Sequence, residues 1–319
     1  MRIFVVIPAY NEATFIKDVI RRIPEQVEQI IVVDDCSEDG TSDVVLSLED
    51  DRVKLIKHKI NMGVGGATVS GYKYSMKAGA DIVVKIDGDG QMNPEQIRKM
   101  VGPIVSGDAD YCKGFRFYDA HNLKQMPIIR LLGNIGLSFF TKVASGYWDI
   151  FDPTSGYTAI HREALSRLNL DNINKSYFFE TDMLIGLYKI QAVIKDVEIA
   201  NRYGDEESQL SPLRISMTFP WLLIKSMLKR ILWRYFIIDF TAVSLFIVVG
   251  LPMFLFGFFF GLYNWISNLI KHVATPVGTI MITVILLFFG FQFLLQSIVL
   301  DVQNVPRTPV QIREKNIEI

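Results

Sequence analysis

The chain has 319 residues, a formal net charge of −1 and a mean hydropathy of +0.26. Its length suffices for one large domain and an additional element, and its near-neutral charge excludes the bulk attraction that would draw it to nucleic acid. Two cysteines, Cys36 and Cys112, exclude a disulfide framework and a cysteine-based metal cluster. The first apolar run, residues 3–7, ends at Pro8 and is too short for a signal peptide, so we expect the N-terminal domain to remain in the cytoplasm.

Short apolar runs alternate with helical patterns from the start of the chain to about residue 116. The predicted strands are 3–7, 29–33, 53–57, 82–86 and 109–113, and the predicted helices lie near 13–22, 41–48, 65–77 and 94–105. Strands with helices between them form right-handed βαβ units. The sequence therefore predicts an α/β domain with a Rossmann-like, mostly parallel sheet.

Polar clusters follow three of the predicted strands. Residues 8–12, Asp34 with Asp35, and residues 87–91 each stand directly after an apolar run. Ligands of parallel sheets bind beyond the carboxyl ends of the strands, and we expect these clusters to converge there. The convergence predicts a binding site at one edge of the sheet.

The third cluster, Asp-Gly-Asp-Gly-Gln at 87–91, predicts a metal site. In an extended chain, Asp87 and Asp89 point to the same side, and Gln91 adds a third oxygen if the chain stays extended. Carboxylate and amide oxygens suit Mg²⁺ or Mn²⁺ holding a diphosphate. The alternative is an acidic turn after a buried strand, because Asp-Gly pairs are frequent in turns.

The pattern is less regular over residues 117–212, and residues 213–235 then form an amphipathic segment. Its apolar residues recur near helical spacing, with Lys225, Lys229, Arg230 and Arg234 among them. A basic amphipathic segment next to a hydrophobic span suits an interface with anionic lipid. The alternative is an ordinary surface helix.

Two uncharged runs follow, at about 240–263 and 277–300. Each is long enough to cross a hydrocarbon core of about 30 Å as a helix rising about 1.5 Å per residue. The short link between them predicts a hairpin. Basic residues flank the outer ends of the hairpin, so the positive-inside rule predicts a cell-membrane protein with both termini in the cytoplasm.

The ordered set of motifs resembles the family 2 glycosyltransferases of the GT-A fold. The motifs are Pro-Ala-Tyr-Asn-Glu at 8–12, Val-Asp-Asp at 33–35, Asp-Gly-Thr at 39–41, Asn-Met-Gly-Val-Gly-Gly-Ala at 61–67, Asp-Gly-Asp-Gly-Gln at 87–91, Asp-Pro-Thr-Ser-Gly-Tyr at 152–157, Arg-Tyr-Gly at 202–204 and Ser-Gln-Leu-Ser at 208–211. More narrowly, the chain is similar to the dolichyl/polyprenyl-phosphate sugar synthases, of the dolichol-phosphate mannose synthase type, that carry two membrane helices.

This resemblance implies a domain organisation. Residues 1–212 would form the GT-A glycosyltransferase domain and 213–235 an amphipathic juxtamembrane segment. Residues 236–300 would hold the two transmembrane helices, and 301–319 a cytoplasmic tail. Lateral association of the hairpins into a homo-oligomer is compatible with this arrangement.

The resemblance also implies the reaction: transfer of a sugar from GDP-mannose or a UDP-hexose to a polyprenyl phosphate, with inversion at the anomeric carbon. Asp87, Asp89 and Gln91 would hold the metal, which stabilises charge on the leaving nucleoside diphosphate. Pro8, Tyr10, Glu12, Asp35 and Asp87 would bind the donor. For Glu12, the alternative is a carboxylate that stabilises a helix N-terminus.

The acceptor is expected to need cations rather than a base. A phosphomonoester has a second pKa near 6, so it is largely dianionic at neutral pH and can attack unaided. Arg116, Arg130 and Arg202 match family positions and are the candidates to bind it, with Ser208; their alternative is a structural or surface role. Arg116 and Arg202 also count, with Asp89 and Asp152, among the candidate catalytic residues.

Other motif residues carry weaker expectations. Asp152 would bind or orient the sugar, or simply cap the turn before Pro153. Glu180 and Asp182 receive orienting or structural roles, because a phosphate acceptor makes a base unnecessary. The glycine-rich segment at 63–67 is expected to shape its loop and pack a helix rather than bind phosphate.

Two rival functions remain open on sequence grounds. A family 2 transferase acting on a saccharide or protein hydroxyl would need Glu180 or Asp182 as a base. An inert scaffold that senses nucleotide sugar would have no need of Asp87, Asp89 and Gln91.

Overall fold

The computed structural model of the protein describes residues 1–116, 128–176, 178–199 and 212–315. These residues form two compact units. Unit 1 comprises Met1–Met227 and Pro306–Ile319, and unit 2 comprises Leu228–Val305. The polar clusters at 8–12, 34–35 and 87–91 all belong to unit 1.

Unit 1 is built on a seven-stranded sheet with the order β3-β2-β1-β4-β6-β5-β7. The strands are β1 (Ile3–Ala9), β2 (Gln29–Asp34), β3 (Val53–Lys57), β4 (Ile82–Lys85), β5 (Tyr111–Arg116), β6 (Thr158–His161) and β7 (Ile194–Ile199). Strand β6 runs antiparallel to β4 and β5, and the other pairs are parallel. The prediction of an α/β domain with a mostly parallel sheet is confirmed.

Helices alternate with these strands. They are α1 (Ile16–Arg21), α2 (Thr41–Leu46), α3 (Gly63–Lys77), α4 (Ile97–Val105), α5 (Ile128–Ser145), α6 (Arg162–Arg167), α7 (Phe179–Lys189) and α8 (Pro212–Leu232). Strands β1, β2 and β4 are buried along nearly their whole length. Because successive side chains point to opposite faces, these central strands are covered on both faces, which explains their continuous apolar runs.

The predicted element bounds differ from the structure where polar side chains take over the backbone hydrogen bonds. Helix α1 begins at Ile16 rather than near residue 13, because the amides of Glu12 and Ala13 bond instead to Thr41 Oγ1 and Asp39 Oδ2, both at 2.9 Å. Strand β4 ends at Lys85, one residue early, and β5 begins at Tyr111 rather than 109.

The chain returns to unit 1 after unit 2, as helix α11 (Val310–Lys315). The buried Asp110 carboxylate accepts from the amides of Val310 (2.8 Å) and Gln311 (3.1 Å). Gln311 Nε2 donates to Ala109 O at 2.7 Å, and Val310 is fully buried. This part of the expected tail is therefore packed into unit 1.

Unit 2 holds the two predicted spans. Helices α9 (Ala242–Ile270) and α10 (Val277–Gln303) are both long and apolar enough to cross a membrane. They pack closely, since an added Cβ at Gly290 would lie 2.5 Å from the Phe254 amide nitrogen and one at Gly257 would lie 2.9 Å from Leu286 Cβ. The prediction of a helical hairpin is confirmed by these elements.

A buried ion pair lies within unit 2. Arg230 is 1% exposed and donates to both carboxylate oxygens of Asp301 at 2.8 and 2.9 Å. The Tyr235 hydroxyl, in the π-helical turn Trp233–Ile238, donates to the same carboxylate at 2.5 Å. Arg230 was expected among the lipid-facing cations of the amphipathic segment, and this expectation is wrong because its guanidinium is enclosed by Asp301.

Candidate active site

The three polar clusters meet at the carboxyl edge of the sheet, as predicted. Ala9 and Asp34 are partners in the β1–β2 register, and Val6 is the partner of Lys85 in the β1–β4 register. An added Cβ at Gly88 would lie 3.3 Å from Glu12 Cγ, so the loops after β1 and β4 are in direct proximity. The sheet thereby brings together side chains that are far apart in sequence.

The loops after β1 and β2 are joined by side-chain hydrogen bonds. The backbone N–H of Asn11 donates to Ser37 Oγ at 3.0 Å. The side-chain oxygen Asn11 Oδ1 accepts from the backbone N–H of Glu38 at 2.9 Å. Burial acts to raise the pKa of Asp39, but its hydrogen bonds with Thr41 and the Ala13 amide outweigh burial and lower that pKa. The Asp-Gly-Thr motif thus fixes, through these hydrogen bonds, the loop that carries Tyr10 and Glu12.

The two aspartates after β2 have different surroundings. Asp34 accepts from the Ser37 amide (2.8 Å) and the Ser42 hydroxyl, which closes the turn. Asp35 lies 2.7 Å from His58 Nδ1 and accepts from the amides of Met62 (2.9 Å) and Gly63 (2.7 Å). Asp35 is therefore a buried organiser of the next loop, and its predicted contact with the donor stays a prediction.

His58 was given no role from the sequence. Its Nε2 lies 2.9 Å from Ser70 Oγ on α3, so the imidazole is held between Ser70 and Asp35. Its partners are separated from it by 23 and 12 positions, and no local spacing could have indicated them.

The glycine-rich segment opens α3 in the structural role that was favoured. The amides of Gly65 and Gly66 donate to Lys175 O at 3.0 and 3.2 Å, and the Gly63 amide is taken by Asp35. An added Cβ at Gly63 would lie 2.6 Å from Lys175 O. The glycines admit a neighbouring backbone, and their amides are occupied by protein acceptors rather than directed at a phosphate site.

The predicted metal loop is a turn and not an extended chain. After β4 the backbone turns at Gly88 and Asp89. The Asp89 carboxylate accepts a hydrogen bond from the backbone N–H of Gln91 at 2.9 Å. Gly90 has a φ of +74°, which favours glycine. The expectation of extended geometry through Asp89 is wrong, because Asp-Gly pairs here form the turn that the alternative anticipated.

The donor atoms of this loop nevertheless fit a hard divalent cation. Asp87, Asp89 and Gln91 are all partly exposed and offer oxygen ligands. Asp87 Oδ1 is buried, and its polar partner among the described residues is the Lys85 ammonium at 2.8 Å. A carboxylate can accept several contacts, so this single partner leaves Asp87 with lone pairs for a metal ion.

Two buried lysines, which sequence reasoning missed, lie beneath the loop that contains Asp152. Lys85 Nζ lies 3.3 Å from Gly156 O and 3.5 Å from Glu180 Oε1, and Lys113 Nζ donates to Ser155 O at 2.5 Å. Both ammonium groups are fully buried. They fix the 152–157 loop from below through two consecutive carbonyls.

The upper part of that loop is an Asx turn. Asp152 Oδ1 accepts from the Thr154 amide at 3.0 Å and the Thr154 hydroxyl at 2.8 Å, so Asp152 does cap its turn. Asp196 on β7 accepts from the Phe151 amide, and burial raises the pKa of Asp196 to about 6. The sugar-binding role of Asp152 remains a prediction.

The two carboxylates considered as bases have structural partners. Glu180 is ion-paired with Lys85, and Asp182 Oδ2 accepts from the Asn174 amide at 2.8 Å, next to the Lys175 carbonyl that caps α3. The orienting and structural roles expected for them agree with these contacts.

The predicted acceptor-binding residues fall at the limits of the described chain. Arg116 is the last residue of β5, and Arg130 lies in the first turn of α5; only their backbone is described. Arg202 and Ser208 lie outside the described residues. Their roles stay predictions.

Apolar side chains are exposed on two helices of unit 1. Helix α5 exposes Ile135, Phe139 and Phe140, and α8 exposes Trp221 and Ile224. The opposite face of α8 packs in a cluster with α5 and α7. The exposed apolar face of α5 was not predicted from the sequence, because the less regular pattern over residues 117–212 does not indicate it.

Comparisons with known proteins agree with this architecture. The family model for glycosyl transferase family 2 matches residues 4–168. A UDP-N-acetylglucosamine–dolichyl-phosphate N-acetylglucosaminyltransferase of Methanococcus voltae is 36% identical over 218 residues, which cover 64% of this chain and 86% of that protein. An undecaprenyl-phosphate mannosyltransferase of Micrococcus luteus is 29% identical, over 62% of this chain and 83% of that protein.

A solved structure shares the fold. Glucosyl-3-phosphoglycerate synthase from Mycobacterium tuberculosis, in complex with phosphoglyceric acid, superposes with a TM-score of 0.53 at 22% identity and covers 72% of this chain and 79% of that chain. The sheet, the loops at its carboxyl edge and the family match define a nucleotide-sugar-type transferase fold. The chain belongs to glycosyl transferase family 2, and it is a glycosyltransferase.

Proposed function

We propose that this glycosyltransferase moves a sugar from a GDP- or UDP-linked donor to a polyprenyl phosphate, with inversion at the anomeric carbon. The observation that carries the proposal is the similarity, over 64% of this chain and 86% of the relative, to a protein named as a dolichyl-phosphate N-acetylglucosaminyltransferase. Glu180, which a hydroxyl acceptor would need as a base, lies 3.5 Å from the buried Lys85 ammonium, a contact that suits a structural role. A phosphate acceptor needs no such base.

The relatives support the acceptor class. Three of them are named as transferases to dolichyl phosphate, to undecaprenyl phosphate or to a polyprenol monophosphate. Their donors differ, since one name specifies N-acetylglucosamine and two specify mannose. The acceptor is therefore proposed as a class, and the donor is left to the experiment below.

The metal is proposed at the turn after β4. Asp87, Asp89 and Gln91 would hold Mg²⁺ or Mn²⁺, and the bound ion would offset charge on the leaving nucleoside diphosphate. Around it, the braced loop after β1 would place Tyr10 and Glu12 against the donor, and the 152–157 loop would face the sugar. Rigid placement of this kind supplies much of the rate in a transfer between two anions.

The acceptor phosphate would be bound by arginines. Arg116, Arg130 and Arg202, with Ser208, are proposed for this role on their positions in the family motifs. Guanidinium groups match phosphate in geometry and remain charged. The phosphate dianion would attack the anomeric carbon on the face opposite the leaving diphosphate, which gives inversion.

Membrane attachment is proposed through unit 2, with unit 1 in the cytoplasm. Helix α8 leaves unit 1 for the hairpin, and Pro306 returns the chain to unit 1. A hairpin whose two ends join the same compact unit has both ends on one side of the membrane. The basic flanks support a cytoplasmic location for that side, and the exposed apolar residues of α5 and α8 suit contact with lipid.

The test is transfer by the purified full chain in detergent with undecaprenyl or dolichyl phosphate and a panel of labelled GDP- and UDP-sugars. We expect a labelled lipid from one donor, lost with chelator and in Asp89→Asn. Asp51→Asn, at an exposed acid away from the site, is the matched control and should retain activity. Donor hydrolysis without lipid labelling would overturn the acceptor, and transfer that survives in Asp89→Asn would overturn the metal site.

A further inference from the structure

A fully buried lysine contacts the proposed metal ligand. Lys85 Nζ lies 2.8 Å from Asp87 Oδ1, and no other described residue supplies a hydrogen bond to that oxygen. This contact places a lysine ammonium at the base of the site, directly against a proposed metal ligand.

The position of this charge is fixed from several sides. Lys85 Nζ also faces Glu180 Oε1 and Gly156 O, and an added Cβ at Gly156 would lie 2.9 Å from it. Gly156 thus leaves room for the ammonium directly beneath the loop. A charge held this tightly in a buried place acts strongly on its neighbours, because little water screens it.

Such a charge affects the two expected ligands in opposite directions. A bare divalent cation bound by Asp87 would lie within a few ångströms of the ammonium and be repelled by it. A diphosphate at the same loop would be attracted. A metal–diphosphate complex, in which the charges largely cancel, would be affected least.

We propose that Lys85 is a specificity-determining residue that disfavours a bare divalent cation at the Asp87–Gln91 turn and favours the donor diphosphate, so that the metal binds together with its nucleotide. This inference rests on the metal site of the proposed function. Lys85 would act through its contact with Asp87 and determine which ligand binds at the turn. It would have no role in the chemical step.

The chain provides a matched control in Lys113. This lysine is also fully buried and also supports the loop through a carbonyl, Ser155 O, but it makes no ion pair with Asp87 among the described residues. Burial lowers the pKa of Lys113 to about 8, with Glu180 and Asp152 partly offsetting the effect. A Lys113 variant therefore shows what happens when a buried lysine under the loop is removed while the contact between Lys85 and Asp87 is kept.

The test is equilibrium binding to the full chain, purified in detergent, without turnover. Free Mn²⁺ is titrated by electron paramagnetic resonance, and GDP and UDP are titrated by calorimetry without metal. In Lys85→Met we expect Mn²⁺ to bind roughly tenfold more tightly, as for removal of one buried charge nearby, and the metal-free nucleotide to bind several-fold more weakly. Lys85→Arg should keep both affinities within about threefold of the wild type, because the charge is retained.

The affinities for Mn²⁺ and for the nucleotide are expected to change in opposite directions in Lys85→Met. A general loss of structure would weaken both, so the two measurements distinguish loss of the charge from loss of structure. Lys113→Met should change both affinities little, and its thermal midpoint shows how far a buried lysine supports the fold. If Lys85→Met weakens both ligands, or leaves the Mn²⁺ affinity unchanged, the inference is overturned. If the proposed metal site itself is wrong, the result is different: Asp89→Asn would then bind Mn²⁺ as tightly as the wild type does.

Discussion

Gly156→Ala is the substitution for which the site geometry makes the sharpest prediction. Its new methyl group would lie 2.7 Å from Asp87 Oδ2 and 2.9 Å from Lys85 Nζ. Carbon atoms in contact prefer about 3.5–4.0 Å. The loop cannot retreat easily, because Lys113 and Lys85 hold the carbonyls of Ser155 and Gly156. Asp87 must therefore move.

A displacement of about 1 Å in a positioning group costs on the order of 10²-fold in rate. We expect kcat/KM for lipid transfer to fall about 100-fold in Gly156→Ala, equivalent to about 2.7 kcal/mol in the activation barrier. The clash should cost only about 1–3 kcal/mol of stability, so the protein remains folded. Mn²⁺ binding should weaken in parallel, because Asp87 is displaced.

The assay is initial-rate transfer at saturating donor, with thermal unfolding measured on the same preparations. Gly102→Ala in α4 is the matched control, since a Cβ there meets nothing within 4 Å. It should retain activity and gain about 0.5–1 kcal/mol of stability, as alanine does over glycine within a helix. Wild-type kcat/KM in Gly156→Ala would refute the placement of Asp87 beneath this loop.

Three further predictions concern stability, measured by thermal or denaturant unfolding in detergent. Asp301→Ala leaves the buried Arg230 guanidinium without its counter-charge and should cost about 3–5 kcal/mol, whereas the double variant Arg230→Met/Asp301→Met should cost clearly less; equal losses would contradict the ion pair. Cys36 has a φ of +69°, so Cys36→Gly should relieve strain and stabilise by about 1 kcal/mol, and a loss of stability would argue against that backbone. Because burial raises the pKa of Asp196 to about 6, its protonated form is favoured in the folded state, and the resulting stability is lost as the pH rises through 6. Asp196→Asn should therefore be more stable than the wild type by roughly 2–3 kcal/mol above pH 6 and equal to it below about pH 4; a difference that does not vary with pH would contradict this.

Features of the fold that depend on local periodicity were predictable from the sequence. The apolar runs located the first strands to within a few residues, because strands buried on both faces need continuous apolar sequence. The carboxyl-end rule then brought the three polar clusters together without any knowledge of contacts. The same reasoning located both membrane-length helices, since few other structures require so long an uncharged run.

Features that depend on contacts between distant residues were not predictable. Lys85 and Glu180 are 95 positions apart, and Arg230 and Asp301 are 71 positions apart. No spacing rule relates such pairs, and each side chain alone is typical of a solvated surface. The extended geometry assumed for the metal loop failed for a different reason: the Asp89 side chain bonds to the Gln91 amide and turns the chain, a local competition that aspartate often wins.

The most direct test of the account is the intact mass and linkage of the lipid product made by the purified protein. With the donor identified, mass spectrometry should reveal a polyprenyl phosphate carrying a single sugar, joined through its phosphate and released by mild acid. Proton NMR of the same product should show the anomeric configuration inverted relative to the donor. A sugar attached to a hydroxyl group, or retention of the donor configuration, would contradict the central claim of direct transfer to a lipid phosphate.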